Sequence, residues 1–105
     1  GRCMKEVEVK GFSDGKLELA LAGEIDSGSA DTFYALTMDA YKRAPGDIVF
    51  DCEHLDFIDS TTLGTFVKIL KNVKTDGHGL RLKNLQPRIK KLFLICSLNA
   101  IMEIE

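Results

Sequence analysis

The sequence predicts a single α/β domain in which helices pack against a mixed β-sheet. Its 105 residues are sufficient for one domain with one hydrophobic core. Some segments alternate apolar and polar residues, as strands do, and others repeat apolar residues at helical spacing. These segments follow in the order β-β-α-β-α-β-α-β, and strands that alternate with helices are typical of parallel crossovers in one sheet.

Residues 5–105 are assigned to this domain and residues 1–4 to an N-terminal tail. Residues 1–3 are either native or a remnant of expression that precedes a natural start at Met4. No repeat, linker or low-complexity segment interrupts the sequence, so one domain accounts for it.

An antiparallel hairpin is expected at the start of the domain. Val7 and Val9 alternate with charged residues, which indicates a half-exposed strand. An Asp-Gly pair within residues 13–15 favours a tight turn. Alternating leucines over residues 16–22 predict the second strand, which ends in Gly-Glu-Ile-Asp at residues 23–26.

Three helices are expected further along the chain. The first covers residues 30–43 and ends before Pro45. The second begins at Ser60 and ends near Lys74, since apolar residues recur there at helical spacing. The third begins at Pro87, because proline suits the first turn of a helix. Its inner face is predicted to contain Ile89, Leu92, Phe93 and Cys96.

Three further strands are expected between and after these helices. Residues 47–52 are rich in β-branched and aromatic residues, which predicts a central buried strand. Residues 51–54 are expected to turn from that strand into a loop. Residues 79–83 alternate leucines with basic residues and form another strand, and residues 101–104 form a short final one.

The composition restricts the classes of function. A formal net charge of -2 with mixed charges argues against nucleic acid as the main direct partner. Three widely spaced cysteines match no metal-site spacing, and no cofactor-binding or catalytic motif is present, so no metal, cofactor or enzymatic activity is expected. Cys52 and Cys96 lie in apolar surroundings and are predicted to be buried. Reduced thiols and the absence of a membrane-spanning run predict a cytoplasmic protein.

The segment from Phe57 to Gly64 carries the strongest functional signal. It runs from an apolar strand end through Asp59 and three consecutive hydroxyl residues into the second helix. Ser60 is expected at the N-cap, where a hydroxyl satisfies free backbone N–H groups and a negative charge is well tolerated. Ser60 is therefore either a structural cap or a phosphorylation switch, and the local pattern alone favours the cap.

Three motifs in order along the chain resemble those of STAS domains, specifically the bacterial anti-anti-sigma factors, also called anti-sigma factor antagonists. They are Gly-Glu-Ile-Asp at residues 23–26, Asp-Ser-Thr-Thr-Leu-Gly at residues 59–64 and Asn-Leu-Gln-Pro-Arg-Ile at residues 84–89. The resemblance extends over about residues 5–104. It implies a STAS-like fold and a regulatory rather than enzymatic function.

The resemblance implies a cycle of partner switching. The unphosphorylated protein binds an anti-sigma factor that is a serine kinase, and the sigma factor is released. The kinase then phosphorylates a serine at the start of the second helix, and a phosphatase reverses this. By motif match that serine is Ser60. The residues implied in partner binding are Asp26, Asp59, Thr61, Thr62, Leu63 and Gly64.

One residue departs from the family pattern, in which glycine is usual at the position of Thr62. A β-branched side chain there is expected to alter the contact with the kinase or the choice of partner. Two alternatives remain open at this point. One is a STAS scaffold or sensor subunit that binds a nucleotide or a transport or signalling partner, with Ser60 only a cap. The other is a small enzyme that uses the acids at the strand ends.

Overall fold

The computed structural model describes residues 4–105, so the prediction for residues 1–3 lies outside the described residues. The strands are β1 Val7–Ser13, β2 Lys16–Ile25, β3 Asp47–Ile58, β4 Leu80–Lys83 and β5 Glu103–Ile104. The helices are α1 Ala30–Arg43, α2 Ser60–Lys74 and α3 Pro87–Ile95, and a 3-10 turn covers Leu98–Ala100. The predicted α/β class and the order of elements are therefore confirmed.

The five strands lie in the sheet in the same order as in the sequence. β1 pairs antiparallel with β2, whereas β2, β3, β4 and β5 are parallel neighbours. Each parallel connection moves one strand in the same direction, and such crossovers are right-handed. The three helices consequently pack on one face of the sheet, and the loops after β2 and β3 meet at one edge.

A cluster of four phenylalanine rings holds the helices on the sheet. Phe66 of α2 lies at its centre, with ring centroids 5.2 Å from Phe33 of α1, 5.3 Å from Phe50 of β3 and 5.4 Å from Phe93 of α3. All four side chains are fully buried. Edge-to-face contacts of this kind restrict how rings can pack, so the cluster fixes the position of α2 relative to β3.

The opposite face of the sheet is polar. Lys83 lies 3.5 Å from Glu18, and Arg81 forms ion pairs with Glu103 and Glu105. The buried residues of β2 lie on the helix side and are at most 2% exposed: Leu17, Leu19, Leu21 and Ile25. Alternation with period two explains this division, since successive side chains of a strand point to opposite faces.

Strand β3 is longer than predicted, because it continues to Ile58 instead of turning into a loop at residues 51–54. Its register against β2 is irregular at two places, between Ala20 and Ala22 and between Gly23 and Glu24. Extra residues on β3 at these bulges leave the second half of the strand without a regular apolar pattern, so the apolar run at residues 47–52 indicated only its first half. Ile58 nevertheless ends opposite Ile25, so β2 and β3 end side by side.

The predicted inner face of α3 is correct for Ile89 and Phe93 and wrong for Leu92 and Cys96. Ile89 and Phe93 are buried, whereas Leu92 is 37% exposed and Cys96 is exposed. The helix ends at Ile95, and the left-handed backbone of Ser97 turns the chain into the following 3-10 turn. Cys96 therefore lies beyond the part of the helix that contacts the sheet.

Candidate functional site

The candidate site lies where β2 and β3 end together. Ile25 is paired with Ile58, and the chain leaves these strands to begin α1 and α2. The loop at residues 26–29 therefore lies beside the first turn of α2. In parallel α/β sheets this carboxyl edge of the strands is the usual place for contacts with ligands and partners.

Asp59, and not Ser60, is the N-cap of α2. One carboxylate oxygen, Oδ1, accepts a hydrogen bond from the backbone N–H of Thr62 at 3.0 Å. The other, Oδ2, accepts one from the backbone N–H of Ser27 at 2.8 Å. These bonds favour the ionised carboxylate and lower the pKa of Asp59, with the Thr62 N–H as the largest cause. The prediction of a serine cap is wrong, because the adjacent carboxylate takes that place.

Ser60 is the first residue of α2 and is exposed. Among residues 4–105, its side chain has no hydrogen-bond partner, since the cap bond to the first turn comes from Asp59. The hydroxyl of Ser60 therefore makes no hydrogen bond that stabilises the described part of the fold. It is accessible to another protein and lies at a helix N-terminus, where a negative charge is stabilised.

Asp26 shapes the neighbouring loop. Its carboxylate oxygen Oδ1 accepts a hydrogen bond from the backbone N–H of Gly28 at 2.9 Å, and its own N–H donates to the hydroxyl of Ser29 at 3.1 Å. This Asx-type turn presents the N–H of Ser27 to Asp59. The two predicted acids thus lie in adjoining loops that are joined by one hydrogen bond.

Thr62 differs most from the expectation. Its side chain is 0% exposed, and its hydroxyl lies 2.7 Å from the carbonyl oxygen of Ile25 and 3.0 Å from Oδ1 of Asp59. This side chain is therefore not part of the exposed surface, and an effect on the kinase would have to act through the fold. Leu63 is also buried, at 9% exposure, whereas Thr61 and Gly64 are exposed. The three-residue spacing of these exposed residues places them on one face of α2, next to Ser60.

The sequence placed the Gly23–Ser27 loop at this surface, but two features of this edge were not predicted: the hydrogen bond of Ser27 and the exposure of Phe57. Ser27 contributes its backbone N–H, and no side-chain pattern indicates such a role. Phe57 is 46% exposed although it stands in an apolar strand end. A bulge in β3 directly before Phe57 changes the face on which its side chain lies. The bulge depends on the pairing with β2, so the local sequence does not indicate that this ring is exposed.

The described residues 4–105 contain no group of three or more histidine, cysteine, aspartate or glutamate side chains placed to hold a metal ion. In the same part of the chain, no helix is both long and apolar enough to cross a membrane.

Comparison with known proteins gives matches over nearly the whole chain. A sequence profile of the STAS domain family matches residues 7–105. The anti-sigma-B factor antagonist of Bacillus subtilis strain 168 is 34% identical over 98 residues, which cover 93% of this chain and 88% of the relative.

Solved structures show the same fold. A crystal structure of a Thermotoga maritima protein, proposed to be an anti-sigma factor antagonist, has a TM-score of 0.81 at 21% identity and covers 93% of this chain and 82% of its own. The Bacillus cell fate determinant SpoIIAA in its phosphorylated form has a TM-score of 0.73 at 21% identity, with 94% and 90% covered. At these identities the likeness concerns the fold alone.

Proposed function

The chain belongs to the STAS domain family, and from this premise we propose that it is an anti-sigma factor antagonist controlled by phosphorylation of Ser60. In this proposal the unphosphorylated protein binds an anti-sigma serine kinase in the cytoplasm and thereby frees the sigma factor. Phosphorylation of Ser60 ends that complex, and a phosphatase restores it. The name of the Bacillus subtilis relative, which is similar along nearly the whole chain, supports this proposal.

The observation that carries the proposal is the division of tasks between Asp59 and Ser60. Asp59 caps α2, so the hydroxyl of Ser60 is exposed and free of hydrogen bonds to the described residues. A kinase can bind this side chain in its active site without breaking a hydrogen bond of the described fold. The carboxylate beside it is held by two backbone N–H groups and stays ionised at neutral pH.

Charge explains how phosphorylation would separate the complex. A phosphate on Ser60 adds about -1.5 to -2 charges at neutral pH, directly beside the ionised Asp59. The N-terminus of α2 stabilises part of this charge, so the domain remains folded. A partner surface that fits a neutral hydroxyl next to one carboxylate would instead have to bury an unpaired phosphate. Burial of an unpaired charge costs on the order of several kcal/mol.

The proposed contact surface consists of exposed parts of this edge. Ser60, Thr61 and Gly64 form its helical part, and the loop that contains Ser27 lies next to them. Gly64 has no atom within 4 Å of the place where a side chain would begin, so a partner can approach the helix closely there. Asp26, Thr62 and Leu63 support this surface from within or beside it.

The two alternatives are less well supported. A scaffold or sensor subunit in which Ser60 is only a cap conflicts with the capping bonds, which come from Asp59. For a small enzyme that uses the acids at the strand ends, Asp59 is already engaged in the fold, since both of its oxygens accept hydrogen bonds from the backbone. Neither alternative gives the exposed hydroxyl of Ser60 a task.

The proposal is tested by incubating the protein with its anti-sigma kinase, recovered from the native organism by pull-down, and ATP. Mass spectrometry is expected to find one phosphate, on Ser60. Ser60→Ala should abolish it, and Thr61→Ala, which removes the neighbouring exposed hydroxyl, should not. Ser60→Asp is expected to weaken binding of the kinase. The proposal fails when Ser60 carries no phosphate and Ser60→Asp binds as the wild type does.

A further inference from the structure

We propose that Thr62 is a positioning residue, which holds the start of α2 against the end of β2 and thereby sets the rate at which Ser60 is phosphorylated. This inference rests on the proposed function. It concerns a side chain that is 0% exposed, so Thr62 acts through the fold and not by touching the kinase.

Four residues form a closed set of hydrogen bonds, called the clasp below: Ile25, Ser27, Asp59 and Thr62. The hydroxyl of Thr62 lies 2.7 Å from the carbonyl oxygen of Ile25, at the end of β2. The backbone N–H of Thr62 donates to Asp59, which in turn accepts the N–H of Ser27. The clasp joins two segments that lie more than thirty residues apart in sequence.

The hydroxyl of Thr62 has one proton and two acceptors within reach. The shorter distance, 2.7 Å, is to Ile25, and the carboxylate of Asp59 is 3.0 Å away. The bond to Ile25 is buried, and a buried carbonyl without its donor loses a contact that water cannot replace. Removal of the hydroxyl should therefore loosen the clasp at its buried end, while Asp59 still caps α2.

Ser60 lies between Asp59 and Thr62, so the clasp fixes its backbone on both sides. A kinase must hold the attacking oxygen within a narrow range of positions, and displacements of about 1 Å can reduce the rate of a reaction a hundredfold. A fixed backbone at Ser60 holds the point from which its side chain starts in one place relative to the kinase. The hydroxyl of Thr62 supplies the buried end of the clasp, so the proposed effect on Ser60 depends on this side chain.

The test compares phosphorylation of Ser60 in full-length variants at a temperature at which each is folded, as judged by circular dichroism. Thr62→Val keeps the shape and removes the hydroxyl, and Thr62→Ser keeps the hydroxyl. Thr37→Val is the matched control, because Thr37 is also 0% exposed and its hydroxyl has no hydrogen-bond partner among residues 4–105.

With Thr62→Val as the substrate, the kcat of the kinase is expected to be about tenfold lower than with the wild type. Its KM should stay within about twofold of the wild-type value, because the exposed surface is unchanged. Thr62→Ser should restore kcat, and Thr37→Val should match the wild type. Hydrogen exchange of the Ser27 amide should be faster in Thr62→Val, because the loop is less firmly held. Thr62→Ala, which also removes the hydroxyl and keeps a good helix former at this position, replaces Thr62→Val when that variant does not fold.

An unchanged kcat in folded Thr62→Val, or in Thr62→Ala when it is used, overturns the inference. A loss of kcat that Thr62→Ser does not restore also overturns it, since the hydroxyl is then not the cause. Failure of the proposed function has a different signature: the wild type itself would carry no phosphate on Ser60, and the rate claim would fall with it.

Discussion

The carboxylate of Asp59 accepts a hydrogen bond from the backbone N–H of Ser27, 2.8 Å away, although 32 residues separate the two in sequence. The same carboxylate caps α2 through the N–H of Thr62. One side chain therefore fixes both the loop before α1 and the start of α2. This relationship assigns the structural task at the site to Asp59 and leaves the hydroxyl of Ser60 exposed.

The two neighbouring residues should differ in their effect on stability. Asp59→Ala removes both the cap and the link to Ser27, and we expect the melting temperature to fall by about 4 °C or more. Ser60→Ala removes an exposed hydroxyl without a partner, and should change the free energy of unfolding by less than about 0.5 kcal/mol. Thermal unfolding followed by circular dichroism measures both. An equal loss in the two variants would mean that Ser60 shares the capping task.

The contribution of Asp59 to stability should depend on acid pH. Its folded pKa lies below the ordinary value of 3.8, because the N–H groups of Thr62 and Ser27 favour the ionised form. The contribution is therefore fully present above about pH 4 and is lost as the pH falls through the folded pKa. Asp59→Asn, which lacks the charge, serves as the reference. The difference in melting temperature between wild type and variant should shrink on acidification, and a constant difference would contradict this assignment.

At alkaline pH the stability should depend on Tyr41. Burial, together with the hydrogen bond that its hydroxyl donates to Asp76 at 2.8 Å, raises the pKa of Tyr41 from 10.0 to about 12. A raised folded pKa stabilises the protein below pH 10, and this contribution is lost as the pH rises from 10 to about 12.

The ultraviolet absorbance of tyrosinate measures this titration, and Tyr34→Phe leaves Tyr41 as the tyrosine observed. In folded Tyr34→Phe, the hydroxyl of Tyr41 should lose its proton at a clearly higher pH than in the unfolded chain. Titration at the same pH in urea and in buffer would show that burial does not protect the Tyr41 hydroxyl.

The thiols of Cys52 and Cys96 should react at different rates. Cys52 is fully buried, which raises the pKa of its thiol to about 12, whereas Cys96 is exposed beyond the end of α3. Iodoacetamide at neutral pH should modify Cys96 within minutes and Cys52 only after denaturation, because the thiolate is the reactive form. Peptide mass spectrometry distinguishes the two sites. Rapid modification of Cys52 in the folded protein would indicate that the core opens more readily than its packing suggests.

The phenylalanine cluster should carry much of the stability of the domain. Phe66→Ala removes a ring that contacts Phe33, Phe50 and Phe93, and should cost about 3–5 kcal/mol of unfolding free energy. Phe57→Ala is the matched control, since that ring is 46% exposed, and should cost less than about 1 kcal/mol. Urea denaturation provides both values. A large loss for Phe57→Ala would place its ring in the core.

Periodicity explains why so much of the fold could be predicted. The bounds of α1 and the start of α2 agree with the prediction, since apolar spacing and helix stops are local signals. The length of β3 and the exposure of Cys96 could not be predicted in this way. Bulges against β2 and the turn at Ser97 depend on how the strands and helices pack, and a single local pattern does not contain that information.

By itself, the sequence determined the order of elements, the single domain and the segment that contains Ser60. Only the tertiary structure decided which of Asp59 and Ser60 caps α2 and which way Thr62 points. The physical reason is geometric, because at a helix start a residue acts as cap only when its backbone is extended and its side chain reaches the N–H groups of the first turn, as that of Asp59 does. That start is fixed by the pairing of Ile58 with Ile25 across β3 and β2, which is a long-range contact.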